Sequence, residues 1–524
     1  MRNLLQTILP VMIYCLPVIS QVPSIEWEKS FGGTSDDVGK SICYTINNDG
    51  FIIAAISESS NGSIPHIGYE DFFILRIDSL GNLIWMKAYG SSSHDKANSV
   101  KTRNNSYLIT GSAGYNDGDV SGGYHGVYDF WTISIDPYGF MQWQICIGGT
   151  DPEEANDLFI TNDSNVILIG GTSSYDFDVQ GMHGGEDMFV VKLSSGGVIK
   201  WTRALGGWDY ERGNSGMQMQ NGNYLLAGTA GATDGDVTGN HNNSSDVWLV
   251  ELDTAGVLIR QKCFGGSAID NAFKVLEAPN GDIIFAATTS STNGDVQNNL
   301  NGIEEFWIVR IDSAWNIIWE KCYGGPTQER VKSACLTPDG GVLVIGQAGF
   351  NGGQVSGSHG YLGDYWAVKT DSMGNFEWGK CMGGTGEDIA YDIKPTVDGG
   401  YIIVGSSNSN DGDVTGNNGM KDIWVVKLSN PTAGITVPEN GLIDFKVFQQ
   451  NDQLIVRFFS KNYNQAQLRL LDLNGKQIST DVMKIQEGIN FHSLNCSGLA
   501  PGMYHIEIIG KNVRQYGKVV IWSF

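Results

Sequence analysis

The chain has 524 residues, and 57 acidic against 33 basic side chains give it a net charge of −24. A nucleic-acid footprint needs basic patches, so DNA and RNA are excluded as partners. With 41% hydrophobic residues, 14 Trp and only 17% charged residues the chain can bury a large core, and its 69 glycines suit short strands joined by tight turns rather than disorder.

The opening MRNLLQTILPVMIYCLPVISQ places Arg2 before an apolar run from Leu4 to Ile19, followed by the small Ser20. This pattern predicts a secretory signal peptide over residues 1–20. Pro10, Pro17 and the short apolar run argue against a retained membrane helix, and bulky Tyr14 argues against lipidation at Cys15. No later stretch is long and apolar enough to cross a bilayer, so no membrane span is expected in the mature chain. Of the remaining seven cysteines, Cys146, Cys263, Cys322 and Cys381 occupy a repeated slot held elsewhere by Ser30, Ala88 and Ala204. A slot that accepts Ser, Ala or Cys is a small packing position, so few or no disulfides are expected.

A single unit then recurs seven times. Trp27, Trp85, Trp143, Trp201, Arg260, Trp319 and Trp378 fall 58, 58, 58, 59, 59 and 59 residues apart. An acid followed two residues later by an aromatic recurs from Asp71/Phe73 to Asp422/Trp424, and another acid stands five residues after the first glycine of each "GG", from Asp37 to Asp388. Each unit reads as four short strands, as in "EWGKC", "AYDIKPT", "YIIVGSS" and "DIWVVKL", with "DGG" and "DSxGN" turns between them. Strands apolar on both faces belong to sheets packed between other sheets. The expectation is an all-β chain with a seven-bladed β-propeller over residues 21–428. The last unit lacks a Trp strand, and the first supplies one, "IEWEKS", so Trp27's strand should close the ring against "DIWVVKL".

From Ile25 to Leu428 the units resemble bacterial β-propeller repeats with "GG", a nearby acid and "DGGYIIVG". The hairpin from Asp78 through Gly81 to Trp85 also resembles the tryptophan-docking repeats of quinoproteins, but it is one residue shorter and there are seven units rather than eight. No redox cofactor is expected on that account.

A linker, residues 429–443, ends the periodicity. Residues 444–524 alternate polar and apolar residues, as in "LIVRFF" and "MYHIEIIG", and predict a small Ig-like β-sandwich. "LRLLDLNGKQI", "GINFHSLNCSGLAPGMYHIEI" and the terminal "KVVI" are similar to the type A sorting domain of the Bacteroidetes type IX secretion system. That resemblance implies export to the periplasm, handling by the type IX secretion machinery as partner, and release from or attachment to the outer-membrane exterior.

Features present in every unit serve the fold, whereas features found once are candidates for function. The loops between second and third strands are long and share a face with the "GG" connections, which makes that face the candidate surface. Its once-only aromatics, Tyr115, Tyr124, Tyr175, Phe177, Trp208, Tyr210, Phe350 and Tyr361, are candidate contacts for a glycan or a protein. Asp117, Asp119, Asp234, Asp236, Asp411 and Asp413, in "DGD" loops, are the candidate ligands for calcium, and no other cofactor is expected. The loop histidines sit in equivalent slots of different blades, too far apart to share a zinc ion. On the opposite face Ser79, Thr254, Ser313 and Ser372, in Asp-Ser/Thr-apolar turns, resemble O-glycosylation sites of exported Bacteroidetes proteins. No nucleophile motif or phosphate loop is present. The expected function is non-enzymatic binding of a glycan or protein. The alternatives are a glycosidase-like hydrolase with carboxylates at the channel mouth and a passive surface scaffold.

Overall fold

A computed structural model describes residues 22–60, 65–241, 244–299, 302–431 and, towards the C-terminus, 443–450, 453–460, 464–472, 476–486, 488–500, 502–510 and 513–521. The expected signal peptide and most of the expected linker lie outside the described residues. All regular elements among the described residues are β-strands.

Seven four-stranded antiparallel sheets form the propeller. Blades 1 to 6 span 37–89, 96–147, 153–205, 211–264, 270–323 and 329–382, each with its strands paired in chain order. Blade 7 takes Asp388–Pro395, Tyr401–Ser407 and Asp422–Leu428 from one end of the repeat array and Ile25–Phe31 from the other. The closing pair runs from Ile25 opposite Leu428 to Phe31 opposite Ile423, as the unpaired Trp strand in the sequence implied. The first strands of successive blades pack side by side around the whole ring, blade 7 against blade 1 included, so these strands line a central channel.

Burial explains the two-sided apolar strands. Trp131, Trp248, Trp307, Trp366 and Trp424, each two residues after a repeated acid, are fully buried between blades. The repeated acids tie the "GG" loops down. In all seven blades the carboxylate five residues after the first glycine accepts the amide four residues before it, from Gly33 to Asp37 at 2.7 Å through Gly384 to Asp388 at 2.9 Å. All seven described cysteines are free thiols.

The Trp slot has a docking role. Trp85, Trp201 and Trp319 donate their indole N–H to Pro137, Thr254 and Ser372 carbonyls in the next blade's hairpin turn, at 3.3–3.4 Å. Each indole lies against a left-handed turn glycine; a Cβ on Gly256 would stand 3.0 Å from Trp201. Blade 4 carries Arg260 in this slot, and the facing turn position of blade 5 is Trp315 at φ +65°. The Arg260 guanidinium sits 4.2 Å over the Trp315 ring and donates to the Ser313 carbonyl at 2.9 Å, so the aromatic ring has moved across the junction. Arg260→Trp alone should therefore destabilise by about 1–3 kcal/mol through overpacking. Adding Trp315→Gly recreates the arrangement of the other junctions, and thermal melts should give a favourable coupling of at least about 1 kcal/mol for the pair.

Beyond the propeller, strands Ile443–Gln450, Gln453–Ser460 and Gly488–Asn495 form one sheet. Asn464–Leu471, Gln477–Ile485, Gly502–Gly510 and Val513–Ile521 form a second. Leu454, Val456, Leu468, Leu470, Ile506 and Ile508 share one core between them, a β-sandwich.

Candidate functional site

Long loops and "GG" loops interlock on one face. Asp119, Asp236 and Asp413 donate backbone N–H to the Gly90, Gly206 and Gly383 carbonyls at 2.8 Å. The turn glycine of the "DGD" sequence must be left-handed there: Gly118, Gly235 and Gly412 have φ of +60° to +64°, and a Cβ would come within 2.4 Å of the same carbonyls. The candidate calcium carboxylates are committed to this joint. Asp117 accepts the amide and hydroxyl of Ser92, both at 2.7 Å, and Asp411 accepts those of Thr385 at 2.7 and 3.0 Å. Asp234 accepts the Trp208 amide at 2.9 Å, and Asp119, Asp236 and Asp413 accept glycine amides at 3.3–3.4 Å. Among the described residues no three His, Cys, Asp or Glu side chains come together as a metal-binding group.

The loop histidines cap the acids that precede the third strands. His183, His241 and His359 place Nδ1 3.0, 2.6 and 2.8 Å from Asp187, Asp246 and Asp364. In the sequence each of these histidines stands four or five residues before its acid.

The candidate aromatics fall into three groups. Tyr124 is a strut of its own loop, donating to the Gly114 and Val127 carbonyls at 2.7 and 2.9 Å. Phe350 and Tyr361 pack edge to face, 4.5 Å apart, in the blade 6 loop, and Tyr115 is exposed in the blade 2 loop. The rest belong to the blade 3 loop and the connection from blade 3 to blade 4. Phe177 is 60% exposed and stacks on His125 at 4.1 Å. Tyr175 donates to the Gly184 carbonyl at 2.5 Å, and Gly184 packs on the backbone of Trp208, itself 77% exposed. Tyr210 follows two residues later, 5.9 Å from the Arg212 guanidinium. Phe177 occupies the turn position that glycine fills in the other described "GG" joints and has φ +51°. A bulky residue in the left-handed region is strained by about 1–3 kcal/mol.

On the opposite face Asp78, Asp253, Asp312 and Asp371 each accept two backbone amides at 2.8–2.9 Å and so build the hairpin turns. Ser79, Thr254 and Ser313 are exposed at these turns and Ser372 is half-buried.

The channel lining was not found from the sequence. The first strand of every blade carries a β-bulge at the same place, between Gly39 and Ser41 in blade 1 and between Ala390 and Asp392 in blade 7. The bulged residues are Lys40, Asn98, Asn156, Asn214, Phe273, Lys332 and Tyr391, and they line one ring of a cavity of about 210 Å³. Three asparagines stitch blades 2 to 5, each donating to the next blade's carbonyl at 2.9 Å. The other four alternate aromatic and lysine: Lys332 lies 5.2 and 5.5 Å from the Phe273 and Tyr391 rings, and Lys40 lies 4.2 Å from Tyr391. One layer deeper, Lys101 pairs with Asp157 at 2.9 Å and Lys394 with Asp392 at 2.8 Å, beside Lys274. Burial opposes ionisation of both aspartates, but the lysines outweigh it and hold the carboxyls below the usual range. The signal was present in the repeat: three residues after each "GG" acid the chemistry changes from blade to blade.

Residues 450–522 match the secretion system C-terminal sorting domain family. No curated protein matches the sequence. Among solved structures, the chain is similar to the quinohemoprotein alcohol dehydrogenase ADHIIG of Pseudomonas putida HK5 at 10% identity and TM-score 0.38, over 75% of this chain and 67% of that one. It is similar to Drosophila Plexin A in complex with Semaphorin 1b at 8% identity and TM-score 0.41, over 78% and 88%. A thermostable family-43 glycoside hydrolase aligns at 14% identity and TM-score 0.28, over 57% and 97%. These likenesses concern the fold alone. No helix among the described residues is long and apolar enough to cross a membrane. The chain is a β-propeller protein, secreted or held at the cell surface, that carries a type IX secretion system C-terminal sorting domain.

Proposed function

We propose that the propeller is a non-enzymatic binding protein that holds a glycan or protein ligand on its long-loop face, over blades 3 and 4. The observation that carries this reading is Phe177. Fold alone would place glycine there, as the other described "GG" joints do, yet blade 3 keeps a strained, exposed aromatic two residues from exposed Tyr175, in the loop whose Gly184 packs on exposed Trp208. Strain retained where the fold does not need it points to contact chemistry. Exposed aromatic faces stack on sugar rings or anchor peptide side chains.

The hydrolase alternative needs a carboxylic acid that keeps its proton near neutral pH. The two carboxylates deep in the channel, Asp157 and Asp392, are ion-paired to lysines that hold them below the usual range, and those at the mouth, Glu70, Glu154, Glu186 and Glu304, are ion-paired to Lys96, Arg212 and Arg330. Most acids that burial pushes upward are the repeated ones inside the blade joints, and the raised acid at the channel mouth, Glu186, is held by the Arg212 guanidinium at 2.5 Å.

A glycan and protein-ligand screen of the secreted protein tests the proposal. Trp208→Ala should weaken the captured ligand's binding at least tenfold. Phe177→Gly should also weaken binding while raising stability by about 1 kcal/mol, since the left-handed strain is relieved. Unchanged affinity in both variants would refute the assignment of this rim.

A further inference from the structure

Cations in the channel outnumber anions. At the mouth Arg212 sits on Glu154 and Glu186, Arg330 on Glu304 and Lys96 on Glu70, at 2.5–3.6 Å. Deeper, Lys101 and Lys394 are matched by Asp157 and Asp392. Lys40, Lys274 and Lys332 have no carboxylate at ion-pair distance among the described residues, although all three line the cavity. Lys40 and Lys332 rest instead on Tyr391 and Phe273, and a ring face replaces only part of a lost hydration shell. Burial, then the neighbouring Lys332 ammonium, lowers Lys40 to about 8; burial also lowers Lys332 and Lys274. Three ammonium groups therefore line one cavity without a carboxylate at ion-pair distance, eased only from further off, Lys274 by Asp157 and Asp392 and Lys40 by Glu154 and Glu70, and an anion within the cavity would complete the set.

We propose that the blade 5 to blade 1 side of the channel is an oxyanion-binding site that takes a carboxylate, sulfate or phosphate group, free or as the charged end of an acidic sugar. The cavity of about 210 Å³ holds roughly seven waters at about 30 Å³ each, room for one such group with a single ring attached. Tyr391 and Phe273 supply apolar wall for that ring, and Lys40, Lys332 and Lys274 supply donors for the oxygens. The chain's net charge of −24 repels anions at long range, so selection is by contact inside the channel. The site is independent of the blade 3 and 4 rim.

Calorimetric titration of the full secreted protein at constant ionic strength, with sodium sulfate, inorganic phosphate, D-glucuronate and uncharged glucose, tests it. At least one anion should bind saturably and raise Tm, whereas glucose should do neither. Sulfate or phosphate binding without glucuronate binding identifies a free ion; tightest binding of glucuronate identifies an acidic sugar. Lys40→Met with Lys332→Met should lower affinity at least tenfold and raise the Tm of the ligand-free protein, so a loss of binding is distinguishable from misfolding. Between pH 7 and 9 affinity should fall as Lys40 gives up its proton. The groups facing Lys40 are Lys332, Tyr391, Lys96, Glu154 and Glu70, and Lys40→Met should weaken this pH dependence. Trp208→Ala should leave anion binding intact. Anions that act no differently from chloride, or a double variant that binds as tightly as the parent, would overturn the proposal.

Discussion

Removal of residues 22–31 is expected to lower the melting temperature of the entire propeller by roughly 10 °C or more, at about 2 °C per kcal/mol for a domain of this size. The strand Ile25–Phe31 is the fourth strand of blade 7, although it lies about 400 residues away in the chain from its partner Asp422–Leu428. Its loss removes the ladder opposite Trp424 and the 2.9 Å bond from the Trp424 indole to Glu28. It also removes the Ser24 contacts with Ser429 at 2.9–3.1 Å. Trp27 and Phe31 pack on the core shared by blades 7 and 1, and loss of two such rings alone costs on the order of 5 kcal/mol. A ring cannot yield one end without opening, so unfolding should stay cooperative at the lower temperature. The bared edge of Asp422–Leu428 should also promote association. An unchanged melt for the shortened protein would show that closure contributes nothing.

The fold was legible because a period of 58 to 59 residues multiplies every signal by seven. One Trp, one acid or one turn glycine says little; the same kind of residue in register six or seven times fixes blade number, strand order and the shared last blade. The same register hid the channel. Lys40 and Lys332 look like ordinary solvent-facing lysines in alternating strands, and only the bulge turns them inward together. Phe177 was visible as a once-only aromatic, but its left-handed backbone, which separates it from Tyr124, depends on the joint it sits in. Arg260 interrupts the tryptophan series with no local sign of compensation, because the residue that compensates for it, Trp315, lies 55 positions on across the junction.

The propeller is also expected to be more stable at about pH 5 than at pH 8, by several degrees in Tm. Each blade joint buries two repeated carboxylates on either side of the first "GG" glycine. At Gly148, for instance, an added Cβ would lie 2.3 Å from Glu153 and 2.9 Å from Asp129. Burial first, and then the facing carboxylate, raise Asp129 and Glu329 to about 7 and Asp388 to about 6. A carboxyl whose folded pKa lies above its unfolded value binds more protons when folded. Its stabilising contribution is complete below the unfolded value near 4 and is lost as the pH rises through 6 to 7. One unit per joint is roughly 1.4 kcal/mol, so seven joints amount to several kcal/mol. Asp129 tests the cause, because its Oδ1 is buried without a hydrogen-bond partner while Oδ2 accepts the His125 amide at 2.8 Å. Asp129→Asn keeps an acceptor for that amide and offers Glu153 a donor in place of a like charge. The substitution should raise Tm at pH 8, where the pair repels, and leave it nearly unchanged at pH 5, where the pair holds a proton. Thermal melts of both proteins across pH 5 to 8 provide the check, and a stability that rises with pH in the unsubstituted protein would reverse the sign of this account.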